Sequence, residues 1–139
     1  MEDFLREGTE KTPYVSMTVD GQLHISGTSM PEDTAKFFFK IMDWVSDYFR
    51  TPASSTHITV SMRYLNSSSC SMIYKLFHFM NRLPGTGRSQ VSCHWIYEVE
   101  DVQMQDFMNQ IMEIADQIEF TTEEVDKIEE NGKVDSTTS

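Results

Sequence analysis

The chain has 139 residues with 39% hydrophobic and 12% aromatic side chains, enough to bury one core without disulfides or a structural metal. A formal net charge of −11 and the lack of a basic stripe argue against nucleic acid and anionic membrane surfaces as partners, and leave other proteins. No apolar run is long enough to span a bilayer, residues 1–11 lack the apolar stretch of an export signal, and Cys70 and Cys93 match no CxxC pattern, so a cytoplasmic protein with reduced thiols is expected.

Residues 15–19, Asp20-Gly21 and residues 22–26 read as a hairpin, in which Asp-Gly supplies the positive φ angles of a type I′ turn and Leu23 and Ile25 alternate with polar neighbours. Ser29-Met30-Pro31-Glu32 has the spacing of a capping box with proline in the first turn, which predicts a helix from there to Phe49, stopped by Thr51-Pro52. Ala35, Phe38, Phe39, Met42, Val45 and Phe49 make one stripe of it, widened by Phe37, Ile41, Trp44 and Tyr48. So broad an apolar surface is either buried on more than one side or is an aromatic docking surface, with Phe37, Trp44 and Tyr48 as the candidate partner-binding residues.

Residues 56–65 alternate, with Ile58, Val60, Met62 and Tyr64 on one face and His57, Thr59, Ser61 and Arg63 on the other, as in a half-buried strand. A second helix over 67–83 is apolar at Met72, Ile73, Leu76, Phe77 and Met80 and closes on Pro84-Gly85-Thr86-Gly87. Another strand, 90–98, puts Val91, Cys93, Trp95 and Tyr97 on one face. Asp101 then caps a third helix with the stripe Phe107, Met108, Ile111, Ile114, Ala115 and Ile118. A short fifth strand is expected near Phe120. Residues 121–139, with six acidic side chains against Lys127 and Lys133, read as a frayed helix and a mobile acidic tail outside a domain of residues 1–120.

The order β-β-α-β-α-β-α, with alternating rather than continuous apolar strands, predicts a single α/β domain: a mixed sheet of four to five strands with helices mainly on one face. The layout is similar to the STAS fold of anti-anti-sigma factors. No GxSxG, HExxH, P-loop or Rossmann fingerprint occurs, and Gly85-Thr86-Gly87 lacks the lysine of a phosphate cradle, so neither an enzyme nor a cofactor is expected. His24, His57 and His94 fall on the open sheet face, where ordinary surface histidines are the simpler reading than a metal site.

The segment Tyr64-Leu65-Asn66-Ser67-Ser68-Ser69 is the strongest functional signal, because it sets several hydroxyls where a strand ends and a helix begins. Free N–H groups and the positive end of the helix dipole favour negative charge there, so a phosphoryl group on Ser67 would be stabilised locally and would repel an acidic partner. Taken alone, Asn66 and the serines are more simply explained as N-cap residues.

The segment resembles the phospho-acceptor turn of STAS-type regulators, with Asn66-Ser67-Ser68 in place of Asp-Ser-Ser. A closer resemblance, over most of the chain, is to the SiaC-like family of bacterial biofilm-regulation phosphoproteins. It rests on Thr12-Pro13, on Gly21, Leu23, Ile25 and Gly27, on Ser29 with Pro31-Glu32, on Asp43-Trp44-Val45, on Tyr64-Leu65-Asn66-Ser67-Ser68-Ser69, and on Trp95 with Tyr97. The resemblance implies a binding protein controlled by a serine/threonine protein kinase and a phosphatase. Its unphosphorylated form would engage and activate a diguanylate cyclase or another signalling protein, and phosphorylation would release that partner. By position the acceptor is Ser67, with Ser68 as second choice. Asn66 would orient the turn, Ser68 and Ser69 would supply hydroxyls and N–H groups, and Tyr64 would hold the strand end in the core. The alternative is a constitutive scaffold or small-ligand-binding domain in which the serine turn is only a cap.

Overall fold

Six strands run side by side in chain order in the computed structural model, which describes residues 1–135. They are β1 (Phe4–Arg6), β2 (Tyr14–Met17), β3 (Gln22–Ser29), β4 (Ser55–Leu65), β5 (Gln90–Glu98) and β6 (Glu119–Val125). Pairing is antiparallel from β1 to β3 and parallel from β3 to β6. Helices α1 (Thr34–Tyr48), α2 (Ser67–Met80) and α3 (Val102–Ile114) fill the three parallel crossovers. Because such crossovers are right-handed and the strands succeed one another in a single direction, all three helices fall on the same face. The sequence-derived class, a mixed α/β sheet covered mainly on one side, is the class observed. The strand number is six rather than four to five, since β1 adds an edge and the short strand near Phe120 is seven residues long.

The core lies between that face and the helices. Leu23 and Ile25, Ile58, Val60 and Met62, and Val91, Cys93 and Trp95 point into it from β3, β4 and β5. Phe38, Ile41 and Val45, then Ile73, Phe77 and Met80, then Met104, Met108 and Ile111 meet them from the helices. Each such large side chain contributes roughly 1.5–3 kcal/mol relative to exposure, so this layer dominates the stability.

Several local expectations give way to pairing. The hairpin between β2 and β3 is not type I′: only Gly21 has positive φ, at 98°, and the turn closes through the Gly21 N–H to the Thr18 carbonyl at 3.0 Å. Gly21 is required there for space as well, because a Cβ would stand 2.2 Å from the Ser55 carbonyl oxygen. The capping box expected at Ser29 does not form. Ser29 is claimed by the end of β3, and the cap of α1 falls four residues later, at Asp33, whose carboxylate accepts the Lys36 N–H at 3.0 Å. The buried stripe of α1 is Phe38, Ile41, Trp44, Val45 and Tyr48, which leaves Phe39 67% exposed.

The frayed helix expected from residue 121 is replaced by the second half of β6, which pairs along its whole length with β5. A small hairpin comes next, β7 (Lys127–Ile128) with β8 (Val134–Asp135). It lies on the sheet face opposite the helices, where the Ser61 hydroxyl donates to the Gly132 carbonyl at 3.1 Å and Ile128 is fully buried. Residues 136–139 of the expected tail lie outside the described residues.

Candidate functional site

The turn from β4 into α2 is shaped by an irregularity in the strand. Gly27 of β3 stands opposite Met62 and Thr28 opposite Tyr64, so β4 carries Arg63 as an extra residue. Such a bulge breaks the two-residue alternation. Ile58, Val60 and Met62 point inward before it; after it Tyr64 is 46% exposed and Leu65 packs against the core instead. The expectation that Tyr64 anchors the strand end in the core is therefore wrong, for this reason.

Asn66 organises the start of α2. Its side-chain oxygen accepts the Ser69 N–H at 2.9 Å, its own N–H donates to the Ser29 carbonyl at 3.0 Å, and its carbonyl accepts the Cys70 N–H at 2.9 Å. Asn66 thus caps α2 and ties the turn to the end of β3. No acidic side chain lies in the first turn of α2, so the positive end of its dipole is uncompensated by its own residues.

The three serines have different surroundings. Ser69 is buried, with its hydroxyl 2.8 Å from that of Ser29 and 3.2 Å from the Ser29 carbonyl. Ser68 is exposed, but its hydroxyl is shared with Thr34 at 2.7 Å and leans on the Asn66 side chain at 3.3 Å. Ser67 is exposed, and its hydroxyl has no hydrogen-bond partner among the described residues. It opens onto a groove of about 290 Å³ between the starts of α2 and α3, bounded by Arg63, Tyr64, Cys70, Asp101 and Phe107. The roles of Ser29 and Thr34 as partners of these serines were missed from the sequence, since they join segments 40 and 34 positions apart.

The aromatic candidates on α1 do not form a surface. Trp44 is buried, donates its ring N–H to the Glu2 carbonyl at 2.8 Å and stacks on Tyr48 at 5.3 Å. Tyr48 is fully buried, its hydroxyl 2.8 Å from that of Thr56 and accepting the Ala53 N–H at 3.1 Å. Phe37 is half-buried. The broad apolar girdle is a helix buried on several sides, and the docking-surface reading of Trp44 and Tyr48 is corrected accordingly.

Burial raises the Cys70 thiol and, more strongly, that of Cys93, so both stay protonated near neutral pH. On the open face His57 bonds to Ser92 at 2.7 Å, and His94 bonds to Thr121 at 2.7 Å and Glu123 at 2.9 Å. His24 meets the Tyr14 ring edge-on at 5.7 Å, and partial burial lowers its pKa. Among the described residues no three His, Cys, Asp or Glu side chains are placed to hold a metal, and no helix is long and apolar enough to cross a membrane.

A one-sided α/β sheet that presents a free hydroxyl at a capped helix start has the build of a small regulatory domain of the STAS-like kind. Residues 6–125 match the model of the SiaC family regulatory phosphoproteins, and the chain belongs to that family. It is accordingly a regulatory phosphoprotein and not an enzyme. An uncharacterized protein of Pseudomonas aeruginosa (strain UCBPP-PA14) is 27% identical over 99 residues, 70% of this chain and 78% of the relative. The crystal structure of apo-SiaC from Pseudomonas aeruginosa superposes with a TM-score of 0.78 at 23% identity, covering 88% of this chain and 99% of that one. SiaC in its complex with the diguanylate cyclase SiaD, which it activates, superposes with a TM-score of 0.77, again at 23% identity and with the same coverage. At that identity the likeness establishes the shared fold.

Proposed function

We propose that the chain is a cytoplasmic phospho-switch: unmodified, it binds and activates a diguanylate cyclase, and phosphorylation of Ser67 releases that partner. The observation that carries this reading is the state of the three hydroxyls. Ser69 is buried and bonded, Ser68 is bonded to Thr34, and of the three Ser67 alone is both exposed and without a partner among the described residues. A serine/threonine kinase can reach that oxygen without first breaking a hydrogen bond. The start of α2, with no acid in its first turn, favours the product. The partner is inferred from family membership together with SiaC of Pseudomonas aeruginosa, the activator of SiaD.

The mechanism of release is electrostatic. A phosphoserine brings roughly −1.5 to −2 charges and three acceptor oxygens to a turn that is neutral when unmodified. A partner surface fitted to the neutral turn then faces like charge or uncompensated desolvation. A phosphatase restores the binding form.

The test is a comparison of unmodified protein, protein carrying phosphoserine at position 67, and the Ser67→Ala variant. Each is used for pull-downs from the host, with binding and cyclase assays on the purified partner. Ser67→Ala is expected to bind and activate like the unmodified form. The phosphorylated protein is expected to lose at least about tenfold in affinity, or ~1.4 kcal/mol. Equal binding by all three would leave a constitutive scaffold.

A further inference from the structure

Arg63 stands where two features of the molecule meet. As the extra residue of the β4 bulge, it lies between Met62, opposite Gly27, and Tyr64, opposite Thr28. Bulges bend a strand and re-aim the side chains they carry. Arg63 accordingly lines the Ser67 groove of about 290 Å³ and also a more open depression of about 510 Å³ beside Lys127, Glu129 and Glu130. On that second side its guanidinium is 3.9 Å from Glu130, with the two side chains 42% and 70% exposed. Exposed pairs at such a distance contribute little and are easily exchanged.

The two sides differ in what they could offer a cation. In the Ser67 groove the charged side chains are Arg63 and Asp101, and the Asp101 carboxylate already accepts the Met104 N–H at 3.0 Å. Cys70, also there, is held neutral by partial burial. Glu130 belongs to the β7–β8 hairpin, which lies past residue 125, where the family match ends. That hairpin is seated by Ile128, whose N–H donates to the Glu98 carboxylate at 2.8 Å, and by the Ser61 bond to Gly132.

We infer that Arg63 has two partners: Glu130 while Ser67 is unmodified, and the phosphoryl group once Ser67 carries one, so that the state of the turn is passed to the C-terminal hairpin. The inference rests on the reading of Ser67 as the acceptor. Its physical ground is competition for one guanidinium. A dianion with three acceptor oxygens offers paired, charge-assisted hydrogen bonds, whereas a single exposed carboxylate at 3.9 Å does not. When Arg63 turns into the groove, Glu129 and Glu130 keep only Lys127 as a cation in their depression, and the hairpin is held less firmly.

The experiment uses full-length protein with phosphoserine genetically encoded at position 67, so that no kinase or partner is needed. In a phosphorus NMR titration, the second pKa of the phosphoserine is expected to be lower by about half a unit with Arg63 than in Arg63→Gln, because a nearby cation favours the dianion. Arg63→Lys should recover part of that shift. By hydrogen exchange, the Ile128 and Glu129 amides should open about two- to fivefold faster in the phosphorylated protein than in the unmodified one. Glu130→Gln should raise their exchange before phosphorylation and remove most of the further increase. Equal second pKa values with and without Arg63 overturn the pairing. A lowered pKa with unchanged hairpin exchange overturns the coupling. Failure of the Ser67 switch itself would show separately, as an unmodified Ser67 in the host or as partner binding indifferent to phosphorylation.

Discussion

Asn66 is bonded through its side chain, its N–H and its carbonyl, to Ser69, Ser29 and Cys70 respectively. It therefore decides where α2 begins and how Ser67 is presented. Asn66→Ala removes the cap and is expected to lower stability by about 1 kcal/mol, whereas Asn66→Asp keeps an acceptor and should stay within about 0.5 kcal/mol of the parent. Urea denaturation of the two variants checks this, since equal midpoints would mean that the side-chain acceptor contributes nothing. This cap was legible in the sequence because capping is a short-range affair: Asn66 and Ser69 are three positions apart. Which serine is left free was not legible in that way. Ser69 is taken by Ser29 and Ser68 by Thr34, and nothing local to 66–69 announces either partner.

β4 shows how a correct strand can still carry an incorrect end. Its alternation holds from Thr56 to Met62 and fails at Tyr64, because the single extra residue at Arg63 shifts everything after it by one position. The opposing residue, Gly27, has φ of +105°, and a Cβ on it would come within 2.9 Å of the Glu130 carbonyl oxygen. Gly27→Ala is therefore expected to destabilise by about 1–3 kcal/mol through backbone strain and displacement of the hairpin. The check is a urea midpoint combined with exchange at Ile128; a lowered midpoint with the hairpin still protected would assign the whole cost to strain. In α1 the ambiguity was of another kind. Its apolar residues cover more than half the helix, and the choice of Trp44 and Tyr48 over Phe39 was made by what they reach: Glu2 for one, Thr56 and Ala53 for the other.

The sheet as a whole closes at β6, and the β7–β8 hairpin is an addition to its open face. A chain ending at residue 125 keeps all six strands and three helices and is expected to unfold cooperatively. It should lose about 1.5–3 kcal/mol, chiefly from the fully buried Ile128. A denaturant midpoint lowered by that amount with a similar slope supports this reading; loss of the cooperative transition would mean that the hairpin is part of the core.

The α/β class, the strands around residues 56–62 and 90–98, the helix starts at Asn66 and Asp101 and the family itself could be read from the chain alone. Two-residue alternation and caps are settled within a few positions, and the family motifs are written in order along the sequence. The edge strand β1, the continuation of the strand at Phe120 as far as Val125, the bulge at Arg63, the burial of Trp44 and Tyr48 and the single hydroxyl among three serines left free by the described residues were decided only by tertiary structure. Each depends on contacts between segments far apart in the chain. An acidic segment such as Glu119–Val125 has no apolar pattern of its own, and it becomes a strand because β5 offers it an unpaired edge.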